Sequence, residues 1–214
     1  MPSEAHGPRL RDPLSWEREA WGRGLFHVAG VDEAGRGPLA GPVVAAAVVL
    51  EPGAIVEGAG DSKRIPTHRR EALAREIRHV ARSVGVGAAS VREIDALNIL
   101  EATTLAMRRA LAALDPPPEL VVVDGRPVRG LGWDHEAVTG GDGLVHCIGC
   151  ASIIAKVCRD RLMRQLASRY PAYGWARNAG YGTAEHLEAL RRFGPSPHHR
   201  LSFAGVQLDL GLGG

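Results

Sequence analysis

Four acidic residues lie where their carboxylates could act together. Asp32, Glu33 and Asp124 each come where an apolar stretch ends, and Asp142 lies in a glycine-rich segment further along the chain. In open α/β sheets, functional sites form outside the ends of the strands. Carboxylates gathered there repel one another, so a divalent cation is the expected neutraliser. Because no His or Cys accompanies them, the oxygen ligands favour Mg²⁺ or Mn²⁺.

These acidic residues also have a purely structural interpretation. Acidic residues at strand ends and Asp-Gly pairs in turns are common without any function. For Asp124 or Asp142 alone, we would favour a turn, and only the four together favour a metal site. Asp32 and Glu33 are neighbours, and adjacent residues of a regular strand point to opposite faces. We therefore expect the strand to break at Glu33, where Ala34-Gly35 follows.

Apolar patterns predict the elements that must position these carboxylates. The first two strands are joined by a short glycine-bearing loop, which is typical of an antiparallel hairpin. The helix at 93–114 shows one core-facing stripe of apolar residues, and Thr67 and Thr183 are expected N-caps. The order of elements predicts an α/β fold with a mixed sheet. The predicted strands are 26–31, 39–50, 84–89, 120–123 and 145–148, and the predicted helices are 68–80, 93–114, 151–169 and 184–193.

Length and composition fit one globular catalytic domain. The chain has 214 residues, of which 45% are hydrophobic, so it can bury one substantial core. We expect residues 1–24 to form a polar N-terminal extension and 25–214 to form the catalytic domain with a C-terminal helical segment. The net charge of +2 permits a nucleic-acid partner without requiring one, and 5% aromatic residues argue against a broad base-stacking platform.

Cysteine usage and the absence of apolar segments favour the cytoplasm. The three cysteines give no disulfide framework, which suits a reducing compartment. Cys147 and Cys150 form a C-x-x-C pair, but no second pair completes a zinc site, so we interpret them as small buried thiols. No apolar run approaches a membrane span, and the charged first 24 residues do not resemble a signal peptide.

The loop after the first two carboxylates carries a further signal. Residues 32–42 read DEAGRGPLAGP, and this stretch resembles the signature of bacterial ribonuclease HII around its first two catalytic carboxylates. Several ordered motifs together are far more specific than one glycine-rich loop. The resemblance extends from about Leu25 to Phe203. The further matching segments are 61–63 (DSK), 93–100 (EIDALNIL), 123–125 (VDG), 151–161 (ASIIAKVCRDR) and 180–183 (GYGT).

The resemblance implies a fold, an activity and a metal requirement. The implied fold is ribonuclease H-like, with a five-stranded mixed sheet flanked by helices. The implied activity is endonucleolytic cleavage of the RNA strand of RNA–DNA hybrids, and cleavage 5′ to ribonucleotides embedded in duplex DNA. It would leave 3′-hydroxyl and 5′-phosphate ends and would require Mg²⁺ or Mn²⁺. As a hypothesis, Asp32 bridges two ions, Glu33 and Asp124 complete the leaving-group site, and Asp142 completes the water-activating site.

The resemblance also implies how the substrate is recognised. The backbone of Gly35-Arg36-Gly37 and the hydroxyl of Tyr181 would contact the ribose 2′-hydroxyl, and the absence of a glycine Cβ suits such close approach. Gly35 and Gly37 also simply permit a tight turn, and a lone tyrosine is more often a partly buried core residue. Lys63, Ser152 and Lys156 are candidate phosphate contacts, and Arg36 and Arg159 are considered with them. Ser152 and Lys156 share a helix face.

The match weakens around the fourth carboxylate. The family usually has lysines two residues before and two residues after this aspartate, where the chain has Gly140 and Leu144. One alternative is therefore a catalytically weakened module that binds RNA–DNA hybrids. Another is a different ribonuclease H-like nuclease, such as a resolvase or transposase. A nucleotide-phosphate loop at residues 35–41 is a third, although the G-x-x-x-x-G-K-[ST] motif is absent. We expect a monomer.

Overall fold

A five-stranded sheet of mixed sense forms the centre of the molecule, for which the computed structural model describes residues 12–209. The strand order is β3-β2-β1-β4-β5. β1 pairs antiparallel with β2, and β2 with β3, whereas β1–β4 and β4–β5 pair in parallel. The predicted α/β class, mixed sheet and opening hairpin are confirmed. The strands are β1 (Val28–Ala34), β2 (Val43–Leu50), β3 (Ala81–Ala89), β4 (Leu120–Asp124) and β5 (His135–Val138).

Helices cover both faces of this sheet. α5 packs on one face with α2, and α4 packs on the other, each over its own apolar cluster. Within residues 12–209, no helix combines the length and the apolarity that crossing a membrane requires. The helices are α1 (Ser15–Gly22), α2 (Thr67–Val80), α3 (Val91–Leu97), α4 (Ile99–Ala112), α5 (His146–Arg169), α6 (Trp175–Asn178), α7 (Ala184–Phe193) and α8 (Ala204–Asp209).

A glycine in the central strand lets α5 approach the sheet closely. A Cβ added at Gly30 would lie 2.3 Å from the main-chain carbon of Cys147, which is closer than any real contact. Only glycine therefore fits at this point of β1. The close approach places the first turns of α5 beside the end of β1, two residues beyond Gly30, where Asp32 lies.

The predicted helix at 93–114 is two helices. Asn98 has φ +76°, and its side chain accepts hydrogen bonds from the amides of Leu100 and Glu101, so it ends α3 and caps α4. The predicted single apolar stripe is therefore wrong at its start, where Leu97 and Leu100 are exposed. Further along, the stripe is buried as expected: Met107 and the other residues of α4 that face the sheet belong to the core.

The fifth strand does not lie where the sequence pattern predicted it. Residues 145–148 begin α5, and β5 is formed instead by His135–Val138. Short apolar runs do not distinguish a strand from a buried helix segment, because periodicity needs more residues to appear. Thr183 caps α7 as predicted, whereas Thr67 is the first residue of α2 and makes no capping bond.

The described part of the N-terminal segment packs against the core. Residues 1–11 lie outside the described residues, and the proposed boundary at residue 24 stays a prediction. Trp16 lies in the two-turn helix α1, beside which Leu14 is fully buried. Glu17 is also buried, and one of its carboxylate oxygens accepts a hydrogen bond from the amide of Cys147, 2.8 Å away, in the first turn of α5. This burial raises the pKa of Glu17.

Candidate active site

Two of the predicted carboxylates lie side by side where β1 and β4 end. The parallel pairing of these strands runs to Val31 opposite Val123, so Asp32 and Asp124 are the next residues on each strand. In-register residues of parallel strands point to the same face, and here that is the face covered by α5. Asp32 is buried, and one of its oxygens accepts from the amide of Glu33 at 2.7 Å.

The fourth predicted carboxylate is held next to Asp124 by a short helical turn. The amide of Gly141 donates to a carboxylate oxygen of Asp124 at 2.7 Å. Asp142 follows in the 3₁₀ turn Gly141–Gly143, directly before α5. The prediction that Asp142 precedes a strand is therefore wrong, because a helix follows it. Its neighbourhood is nevertheless acidic as expected, since Asp124 and Asp61 both act on its charge.

The electrostatics of these carboxylates show an excess of negative charge. Burial, and then the charges of Glu33 and Asp124, raise the pKa of Asp32 to about 8. Burial, Asp124 and Asp61 raise the pKa of Asp142, while Lys63 opposes this shift. Such shifts mean that the charged forms lack neutralising partners. Oxygen-only ligands with uncompensated negative charge fit a hard divalent cation.

Glu33 reaches the site from the opposite face of the sheet. β1 continues to Ala34, and Glu33 is paired with Ala45 on β2, so the predicted strand break at Glu33 is wrong. A carboxylate oxygen of Glu33 lies 3.1 Å from a guanidinium nitrogen of Arg36. Glu33 borders two adjoining cavities, one of about 490 Å³ that also contains Asp32 and one of about 720 Å³ that also contains Asp124.

The side chains are near one another without already forming a coordination shell. Among residues 12–209, no three His, Cys, Asp or Glu side chains are arranged as metal ligands. Glu33 is turned toward Arg36, and Asp124 toward the amide of Gly141. Convergence of three ligands on one ion therefore requires changes of side-chain rotamer, since the strands already hold the backbones of Asp32 and Asp124 side by side.

The 490 Å³ cavity brings together every residue predicted to contact the substrate. Tyr181 is 46% exposed, so the alternative of a buried core tyrosine does not apply to it. Ser152 and Lys156 lie one turn apart on α5, and the ammonium of Lys156 is 2.6 Å from a carboxylate oxygen of Asp160. The predicted substrate residues that line the cavity are Gly35, Arg36, Gly37, Lys63, Ser152, Lys156 and Tyr181.

Arg159, a further candidate phosphate contact, lines the same cavity, but its guanidinium is engaged by the protein's own main chain. Its side chain is buried, with 1% of its surface exposed. It donates to the carbonyl oxygens of Pro42, Ala179 and Ala40 at 3.0–3.2 Å. Arg159 therefore ties the glycine loop to the turn before Tyr181, and its donors are already used inside the protein.

Sequence reasoning missed three residues near the site. Asp61, whose charge acts on Asp142, belongs to the DSK segment (residues 61–63) that matches the family. That segment is the sequence signal that could have identified Asp61 as part of the site. Arg200 is fully buried beneath the glycine loop, and no local pattern in the sequence marks this position. Glu17 lies before the region of resemblance, and its capping of α5 appears only in the tertiary structure.

The fold and the site together define a nuclease of the ribonuclease H-like class, with carboxylates at the ends of neighbouring parallel strands. The structure is similar to that of ribonuclease H2 from Pyrococcus horikoshii, with a TM-score of 0.71 and 30% identity, over 85% of this chain and 96% of that one. It also shares its fold with Bst-RNase HIII, solved in complex with Mn²⁺, at 18% identity and a TM-score of 0.71, over 96% of this chain and 76% of that one.

The sequence comparisons name the family within this class. The family model for ribonuclease HII matches residues 29–206. Ribonuclease HII of Ruegeria pomeroyi is 57% identical over 185 residues, which cover 86% of this chain and 79% of that protein. The chain belongs to the ribonuclease HII family, and it is an endoribonuclease of RNA–DNA hybrids.

Proposed function

We propose that this enzyme cleaves the phosphodiester bond 5′ to a ribonucleotide, both in RNA–DNA hybrids and at single ribonucleotides embedded in duplex DNA. The products would carry 3′-hydroxyl and 5′-phosphate ends. The observation that supports this most is the continuity between the carboxylates and the glycine loop. Asp32 and Glu33 share one cavity with Gly35, Gly37 and the exposed Tyr181, so a ribose held by the loop lies beside the acidic groups.

The proposed metal ligands are Asp32, Glu33, Asp124 and Asp142. Bound Mg²⁺ or Mn²⁺ would supply positive charge at the scissile phosphate and lower the pKa of an attacking water. The carboxylates contribute by fixing where that charge lies. Asp32 and Asp124 are carried by adjacent strands, whereas Glu33 and Asp142 approach from the far sheet face and from the turn before α5.

Selection of RNA over DNA requires contacts that distinguish a ribose from a deoxyribose. A 2′-hydroxyl can both donate and accept a hydrogen bond. We assign its recognition to the main chain of Gly35-Arg36-Gly37 and to the Tyr181 hydroxyl. Lys63, Ser152 and Lys156, which line the same cavity, are the proposed contacts to the phosphates of the cleaved strand. Because Lys156 is paired with Asp160, its ammonium is held in place before the substrate arrives.

The proposal extends to domain organisation, assembly and compartment. We propose that residues 25–214 form the catalytic domain and that the enzyme acts as a monomer in the cytoplasm. The packing of α1 supports including residues 12–24 in the folded unit.

One assay tests the reaction, the substrate and the metal together. The protein is incubated with duplex DNA that carries one ribonucleotide, in Mn²⁺ or Mg²⁺ and then with EDTA, and an all-DNA duplex of the same sequence is the control. We expect a single nick 5′ to the ribonucleotide that EDTA abolishes. Binding without nicking would favour a hybrid-binding module, and equal cleavage of the all-DNA duplex would favour a resolvase or transposase.

A further inference from the structure

A buried arginine holds the carbonyl side of the glycine loop. Arg200 has no exposed surface, and all four hydrogen bonds of its guanidinium go to main-chain carbonyls. Two of them reach Gly41, at 3.0 and 2.9 Å, one reaches Gly35 at 2.6 Å, and one reaches Arg36 at 2.8 Å. Burying a cation is costly unless its donors are satisfied. The loop carbonyls satisfy those of Arg200, so each fixes the other.

Because the peptide bond is planar, the directions of these carbonyls also fix the directions of the amides of Arg36 and Gly37. The only cis peptide within residues 12–209 joins Asp115 and Pro116, so the two peptide groups that follow Gly35 and Arg36 are trans. In a trans peptide, the N–H points opposite to the C=O. Since both carbonyls converge on Arg200, the amides of Arg36 and Gly37 point away from it. Within the described residues, neither amide donates to a protein group.

The two residues that carry these amides, Arg36 and Gly37, line the cavity that the proposed function assigns to the ribose. Gly37 lines the 490 Å³ cavity, and a Cβ added there would lie 3.7 Å from the Tyr181 ring. Arg159, which donates to Ala40, Pro42 and Ala179, ties the loop to the turn before Tyr181. The donor pair and the tyrosine are therefore held at one distance from each other before any substrate arrives.

We infer that Arg200 is a positioning residue for ribose recognition, which aims the amides of Arg36 and Gly37 at the 2′-hydroxyl. The inference rests on the proposed function, since it needs the loop to contact the ribose. The role requires a guanidinium, because its planar set of donors reaches three carbonyls at once. A lysine ammonium presents one point charge and cannot hold the same three groups in one plane.

The test separates recognition of the 2′-hydroxyl from general stability. The kcat and KM are measured on duplex DNA with one ribonucleotide, and an all-DNA duplex of the same sequence serves as a competitive inhibitor. For Arg200→Lys, we expect KM for the ribonucleotide duplex to rise about tenfold, the value of one or two weakened hydrogen bonds. The inhibition constant of the all-DNA duplex should stay within about twofold. The matched control is Arg161→Lys on α5, where the arginine is exposed and pairs with Glu71.

Two results would overturn the inference. If KM and the all-DNA inhibition constant change by the same factor, Arg200 acts only on the fold or on duplex binding. If both stay at their wild-type values, the guanidinium is not needed.

A second measurement uses the wild-type protein and so does not depend on the variant folding. The ¹⁵N-labelled protein is titrated with each duplex, without divalent ions, and the amide resonances of Arg36 and Gly37 are followed. Larger shifts with the ribonucleotide duplex support the inference, and equal shifts with both duplexes contradict it. Failure of the wild type to nick its substrate would instead contradict the proposed function, and the amide titration would still decide whether the loop contacts the ribose.

Discussion

The candidate site has two sides that differ in how their charges are satisfied: a carboxylate wall (Asp32, Glu33, Asp124 and Asp142) and a glycine-loop wall (residues 35–41 with Arg159 and Arg200 behind them). On the carboxylate wall, Asp32 and Asp142 have raised pKa values because burial and neighbouring acids leave their negative charge uncompensated. On the glycine-loop wall, Arg159 and Arg200 are fully buried, but carbonyl oxygens accept their hydrogen bonds. The loop wall is therefore complete by itself, whereas the carboxylate wall lacks neutralising partners, which the proposed divalent cations would supply.

Two buried histidines, His186 and His199, lie next to the glycine-loop wall and are likewise hydrogen-bonded within the protein. The ring nitrogen Nδ1 of His199 accepts from the amide of Ser196, and Nε2 of His186 accepts from the indole of Trp175. His186 therefore carries its proton on Nδ1, 2.9 Å from the carbonyl of Tyr181, and His199 carries its proton on Nε2, which faces His186 at 3.0 Å. Both rings are neutral in this arrangement, and His186 supports the backbone of Tyr181.

The largest effect should come from removing one charge from the carboxylate wall. Asp124→Asn keeps the shape of the side chain but weakens its grip on a cation, so we expect kcat to fall about 100-fold or more. Duplex binding should be nearly unchanged, because Asp124 is not a phosphate contact. Single-turnover cleavage and fluorescence anisotropy measure the two quantities, with Asp134→Asn, at an exposed position, as the control. Substantial residual turnover would remove Asp124 from the site.

Binding of a divalent cation to the carboxylate wall should stabilise the folded protein. Saturating Mn²⁺ at about 100 times its Kd would contribute about 3 kcal/mol, which raises Tm by roughly 5–10 °C in a chain of this size. In Asp32→Asn the shift should largely disappear. The metal-free variant should itself be more stable than wild type near pH 8, because the pKa of Asp32 is raised in the fold and its charged form opposes folding. Thermal unfolding with Mn²⁺ or EDTA checks both points, and an undiminished shift in the variant would contradict the assignment.

The stability of the glycine-loop wall should change with pH in the opposite direction. A raised carboxylate pKa lowers stability as the pH rises, whereas a lowered histidine pKa lowers stability as the pH falls. Burial, and then His186, lowers the pKa of His199 to about 4, below its unfolded value near 6.5. The unfolded chain therefore binds the proton first, so the free energy of unfolding falls as the pH drops from about 6.5 toward 4. The loss for this group is at most about 3 kcal/mol. Urea unfolding across this range should show a shallower slope for His199→Asn than for wild type or the exposed His68→Asn control. An equal slope in all three would show that His199 titrates normally.

The smallest effect should come from adding a positive charge beside the carboxylate wall, at position 144. Leu144 is exposed and lies two residues after Asp142, where the match to the family signature weakens. Leu144→Lys should lower KM a few-fold and steepen the dependence of binding on salt by about one unit, as one added phosphate contact would. Binding measured at several salt concentrations tests this, with Leu144→Gln as the uncharged control. If lysine and glutamine behave alike, position 144 lies off the path of the substrate.

Local patterns in the sequence were enough for the fold class and for placing several residues of the candidate site near one another. The β-branched run before Asp124 and the loop after Glu33 are short-range signals, and the parallel pairing of β1 with β4 bears out the placement of Asp32 beside Asp124. The errors arose where local signals are ambiguous. Residues 145–148 are too few to show a period, and the helix break at Asn98 depends on one residue adopting a positive φ.

The sequence by itself determined the family, the type of sheet and the acidic residues that lie at or near its strand ends, because strand patterning and motif spacing are local properties of the chain. Only the tertiary structure decided which charges are satisfied. Arg200 lies more than 150 residues from the loop it supports, and Glu17 lies 130 residues from the helix amide it accepts from. Such contacts depend on long-range packing, which leaves no periodic signal for sequence reasoning to detect.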